Sequence, residues 1–197
     1  MSPQPSIAAT DDRTRYDNLS IALHWLTAVL VLVQFALAEL WGYAGQPTRH
    51  LMITAHMSFG ILLTAVIIVR ISWRLIPGHA IGPATTGWPE RAAKAVQFLL
   101  YVLLVAQASL GFVLRWAGHE SMSFFGLLIS PPFAPFSKPA HELVGEAHDW
   151  TGWTIVILAA GHAGAALVHR YVLHDKVLSR MLPQHGAVGQ PAARRVP

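Results

Sequence analysis

Residues 148–170 read HDWTGWTIVILAAGHAGAALVHR, and their reading decides the fold. From Trp150 to Val168 there is no Asp, Glu, Lys or Arg. An apolar run of about 18 residues or more is long enough to cross a bilayer as a helix. This one carries imidazoles at His148 and His162, and an ionisable group in such a run needs a reason. The two lie 14 residues apart, which is about 21 Å along a helix and about 40° around it. One helix face would therefore present two imidazoles at two levels.

Three more charge-free runs accompany it: Leu19 to Ala38, Leu51 to Val69 and Ala95 to Leu114. Hydrophobic residues make up 53% of the chain and charged residues 12%, about half the charge of a soluble domain. Backbone polar groups must be satisfied internally in lipid, so four membrane-spanning helices are expected and a soluble helical protein is disfavoured. Trp25, Trp41, Trp73, Trp116, Trp150 and Trp153 fall towards run ends, as interfacial aromatics do. Ala36-Leu37-Ala38 has the form of a signal-peptidase site. The run before it is too long for a typical signal core of roughly 7–15 residues, and Asp11, Asp12 and Asp17 precede it alongside Arg13 and Arg15. It is expected to stay as a helix.

The expectation is an all-α integral membrane four-helix bundle over residues 18–182, flanked by tails at 1–17 and 183–197. Residues 77–89 carry the glycines and prolines of a loop. Residues 117–138, with Phe124, Phe125, Phe133 and Phe136, form the longest outer connection and are expected along the membrane surface. Eleven of the fourteen Lys and Arg residues fall in the two tails and the second connection; only Arg49, Arg115 and Lys138 fall on the other side. The positive-inside rule then puts both termini in the cytoplasm. Basic residues that flank spans form no single patch, which excludes nucleic acid as a partner.

Depth pairs the histidines. His24 lies early in a span running outwards, His56 early in a span running inwards, and the last span carries His148 outside and His162 inside. The expected pairs are His24–His162 and His56–His148. Paired imidazoles suit haem iron, whereas structural zinc wants four ligands close together. The chain has no cysteine, so covalent haem attachment and Cys-ligated iron–sulfur clusters are excluded, and two haems b per chain are expected. Gly60, Gly152, Gly161 and Gly164 near these histidines would let a flat macrocycle approach, or would serve ordinary helix packing. The remaining histidines, His141 among them, are read as solvated side chains of loops, tails and span edges, except His169 at the inner end of the last span.

The segments from Arg15-Tyr16-Asp17 to His24-Trp25, His56-Met57-Ser58-Phe59-Gly60, His148-Asp149-Trp150 and His162 through His169 resemble the bacterial cytochrome b561 family. The resemblance covers about residues 13–182. It implies a four-helix di-haem protein of the bacterial inner membrane, with His24, His56, His148 and His162 as axial ligands of the haem iron. Some members resemble superoxide oxidase, which takes electrons from superoxide at the periplasmic face and reduces ubiquinone. On that footing the chain would be a superoxide:ubiquinone oxidoreductase.

Particular residues can be matched to that reaction. Arg49, Arg115 and Lys138 would draw an anion to the outer face, or would simply anchor the interface. His169 and Trp25, towards the inner pair, are quinone-site candidates; His169 could equally meet headgroups and Trp25 could be an interfacial anchor. Arg70 and Arg74 would hold haem propionates, though the positive-inside rule also accounts for them. Two other classes stay open. One is a membrane cytochrome b subunit that passes electrons between quinol and a partner oxidoreductase. The other is a non-redox four-helix membrane protein such as a transporter subunit.

Overall fold

A computed structural model describes residues 15–77, 81–82 and 86–182. Most of the two expected tails, and His79 and His185, lie outside the described residues. Four long helices dominate: α1 (Asn18–Leu40), α2 (Gln46–Leu75), α3 (Trp88–Ala117) and α4 (Lys138–Tyr171). All four are long and apolar enough to cross a membrane.

Local chemistry sets their ends. Asp17 caps α1 by accepting from the Ser20 amide at 2.9 Å and the Ser20 hydroxyl at 2.6 Å, and Trp73 Nε1 donates to it at 3.2 Å. Burial opposes its ionisation, yet these hydrogen bonds hold the Asp17 carboxyl below its ordinary value. Each of the other three helices has a proline in its first turn, where the missing N–H costs nothing. Gly87, at φ 76°, opens α3 in a conformation that favours glycine.

The chain packs as two helical hairpins, α1 along α2 and α3 along α4, with sparser contact between them. The hairpins meet at mid-height, where Ile67, Leu104 and Ile155 are buried and Val31 packs against them. Outward positions such as Ile68, Phe98, Val105, Ile157 and Trp150 are exposed, as lipid-facing residues are.

Both described ends of the chain lie at one end of the bundle, here called the near end. After α4 the chain turns back across it: Trp25 Nε1 donates to Met181 O at 2.7 Å, and Arg15 donates to Leu182 O at 2.5 Å. At the far end, the connection expected to lie on the surface contains a β-hairpin, β1 (Met122–Phe124) against β2 (Leu127–Ile129). Phe125 (φ 47°) and Gly126 (φ 94°) make its two-residue turn. Ser58, buried in α2, holds the hairpin: its hydroxyl lies 3.2 Å from Ser123 O and accepts from the Phe125 amide at 3.0 Å.

Candidate haem sites between the helical hairpins

α4 sets the levels. His141, His148, Ile155, His162 and His169 follow one another at intervals of seven residues. Seven residues make nearly two turns, so they form one stripe with steps of about 10.5 Å. Ile155, in the buried mid-layer, separates His148 from His162.

The structure brings the four expected histidines together in the expected pairs. The rings of His24 and His162 have centroids 6.4 Å apart at an interplanar angle of 69°. Those of His56 and His148 are also 6.4 Å apart, at 75°. A metal–imidazole bond is about 2 Å, so two rings sharing one metal have centres about 6 Å apart. Each pair thus has the spacing of two axial ligands on one ion. Among the described residues, no group of three or more His, Cys, Asp or Glu is placed to hold a metal.

At the far level the surroundings also fit. His56 Nδ1 lies 3.2 Å from Gln34 O. Donation to that carbonyl leaves Nε2 free for a metal and fixes the ring, the usual support of a ligating histidine. His148 has a buried Nδ1 without a partner, a state that costs about 1–3 kcal/mol, while its Nε2 lies 3.2 Å from Gln107 Nε2, a contact that a metal at Nε2 would displace. A cavity of about 660 Å³ surrounds the pair and falls within the usual size of cofactor sites. Its walls include Trp41, Met57, Gly60, Gly111, Met122 and Gly152.

A local symmetry relates the two halves here. Gly60 follows His56 by four residues, and Gly152 follows His148 by four. A Cβ on Gly60 would lie 2.7 Å from Gln34 Nε2 of α1; one on Gly152 would lie 3.2 Å from Gln107 Nε2 of α3. The Oε1 atoms of both glutamines are buried without partners. The sequence reading missed this, because the two glutamines carry no spacing signal of their own. The near level breaks the symmetry, since its histidines come from α1 and α4.

At the near level Arg70 donates to His24 Nδ1 at 3.0 Å and lies over the Tyr101 ring at 5.0 Å. An imidazole that ligates through Nε2 carries its proton on Nδ1, so Arg70 cannot keep that bond once His24 ligates a metal. The freed guanidinium, half-buried beside the pair, suits a carboxylate. Arg74, one turn on, is exposed. Trp25 packs edge-on to His24 at 5.6 Å, and its donor is engaged by Met181 O. His169 Nδ1 meets Asp175 Oδ2 at 2.5 Å. The His169 hydrogen bond, followed by one from the Val177 amide, holds the Asp175 carboxyl below its ordinary value.

The basic residues of the far end do not act alone. Arg115 is ion-paired with Glu120, and Lys138 lies 3.8 Å from Glu142 on an exposed stretch of α4. Arg49 and Arg115 line the cavity, but so do Glu39, Glu120 and Asp149. His141, read from the sequence as solvated, is half-buried at this mouth, with Nε2 3.2 Å from Leu114 O. Its seven-residue spacing from His148 was the available signal.

The sequence profile of prokaryotic cytochrome b561 matches residues 15–184. Cytochrome b561 homolog 2 of Escherichia coli is 33% identical over 179 residues, covering 88% of this chain and 94% of that protein. The probable superoxide oxidase CybB of Yersinia pestis is 28% identical over 86% of this chain and 97% of its own length. Cytochrome b562 of Cereibacter sphaeroides is 30% identical over 85% of this chain and 94% of its length. The chain belongs to the prokaryotic cytochrome b561 family, membrane electron carriers that bind b haem.

Proposed function

We propose that His24 with His162, and His56 with His148, hold two haems b, which supply one-electron transfer across the membrane. The observation that carries this is the equal 6.4 Å spacing of the two pairs. The positive-inside count puts the near end in the cytoplasm. By analogy with the Yersinia relative, superoxide is the electron donor; the resemblance to the family adds the periplasmic face as its place of reaction and ubiquinone as the acceptor. Two superoxide ions each lose one electron to become dioxygen; ubiquinone gains both electrons and two protons. The protein's part at the cytoplasmic face is to bind the quinone and supply those protons. His169, backed by Asp175, can carry a proton on Nε2. Trp25 borders the same end.

A second reading has a specific observation behind it. Acidic Glu39, Glu120 and Asp149 offset the cations at the far mouth, which weakens its attraction for an anion. That favours a quinol-linked cytochrome b subunit serving a partner oxidoreductase. Stopped-flow mixing of the purified protein with superoxide, then with ubiquinol, separates the two. Fast appearance of the reduced haem band with superoxide supports the first. A response to quinol alone overturns it.

A further inference from the structure

The far-end β-hairpin presents three large apolar side chains, Phe125, Leu127 and Leu128, exposed by 66%, 65% and 68%. Residues 121–137 around it contain no Asp, Glu, Lys or Arg. In water such a tip would be an aggregation liability.

Its depth follows from two independent measures. On α2 the hairpin is held by Ser58, and the Phe125 ring lies 6.0 Å from that of Phe59. These two residues are nine and ten positions beyond Arg49, about 14 Å further along the helix. They are also past His56, inside the charge-free stretch that begins at Leu51. On α3, the last charged residue, Arg115, donates from Nε to Ser121 O, where the hairpin starts. The four extended steps from Ser121 to Phe125 span about 13 Å. Both measures put the tip beside the charge-free part of the spans, at the boundary between headgroups and acyl chains.

We propose that the hairpin Met122–Ile129 is a lipid-inserted element whose tip, Phe125 to Leu128, enters the far leaflet of the bilayer. The occupant around its exposed turn and β2 arm is lipid, continuous with the lipid surrounding the helices. Backbone at that depth must be satisfied within the protein. The strand pairing does this for the arms, and the Ser58 hydroxyl does it for the Phe125 amide at the turn. The other arm, β1, is protein-covered: Met122 and Ser123 are buried, and Met122 lines the cavity around His56 and His148. The hairpin is therefore the wall between that cavity and the lipid. This inference rests on the membrane spans and is independent of haem binding.

The chain has no cysteine, which makes single spin labels clean. Cysteines replacing Leu127 or Leu128 would carry a nitroxide, with Lys138→Cys as the water-facing control, all in lipid nanodiscs without any partner protein. The expected result is strong relaxation by dissolved oxygen and weak relaxation by a water-soluble nickel chelate at 127 and 128, and the reverse at 138. Chelate accessibility at 127 and 128 equal to that at 138 would overturn the proposal and point to a protein partner for the tip. A diazirine carried on a lipid acyl chain needs no variant. It should label residues 121–130 of the unaltered chain, and labelling confined to α1–α4 would count against insertion.

Discussion

Each of the four histidines matters only through its partner. Loss of either ring of a pair opens the same site, so His24→Ala and His162→Ala should remove one spectroscopic component, and His56→Ala and His148→Ala the other. Pyridine haemochrome analysis should fall from about two haems per chain to about one in each variant. Redox titration then shows which component is gone. A shared loss in His24→Ala and His148→Ala would mean that the pairs are crossed. Asp175 provides a residue-scale pH effect. Its folded pKa is depressed by His169, so its stabilising contribution is complete above the ordinary carboxylate value of about 3.9 and is lost as pH falls through the folded value. Protection against amide hydrogen exchange over residues 172–182, taken relative to the intrinsic rate at each pH, should fall in that acid window. Asp175→Asn should remove this pH dependence and lower the protection at neutral pH as well.

At the scale of elements, the spans were legible because charge is so unevenly placed along the chain. The pairing followed from chain direction and the 14-residue step between His148 and His162. Other features were not legible for physical reasons. α4 begins at Lys138, well before its charge-free stretch, because a helix continues past the bilayer when its backbone is paired internally. The β-hairpin depends on a remote hydroxyl, Ser58, and on a left-handed Phe125 that no local pattern announces. The glutamine–glycine contacts join helices that are distant in sequence. Gly111 offers a test of this element-level packing. A Cβ there would lie 3.2 Å from His148 Cε1, tighter than ordinary contact. Gly111→Val should displace the His148 ring and lower occupancy of the far site several-fold, while the His24–His162 component keeps its amplitude in the reduced-minus-oxidised spectrum. Equal loss of both components would mean that the helix pair as a whole had failed.

For the whole molecule the question is what its charge does to an approaching donor. The near end carries most of the Lys and Arg, and reporter fusions after Pro197 should be active only as cytoplasmic reporters. On that orientation the far end would face the periplasm, where a superoxide ion would meet Arg49, Arg115 and Lys138 together with their acidic neighbours. The pairing predicts an order of effects. Arg115→Gln should slow reduction by superoxide most, because it removes a cation and leaves Glu120 unpaired at the cavity mouth. Arg49→Gln should have an intermediate effect, since Arg49 lines the cavity without an ion-pair partner among the described residues. Lys138→Gln should do least, being 88% exposed, loosely paired and not part of the cavity wall. Each effect should shrink with salt, because the field is screened over about 10 Å at roughly 0.1 M. Arg115 also holds Ser121 O, so the double variant Arg115→Gln, Glu120→Gln is the control. Recovery of rate in the double variant assigns the loss to charge, and no recovery assigns it to the hairpin. If all three single variants react with superoxide like the unaltered protein at low salt, steering plays no part, and the quinol-linked reading becomes the better account of this face.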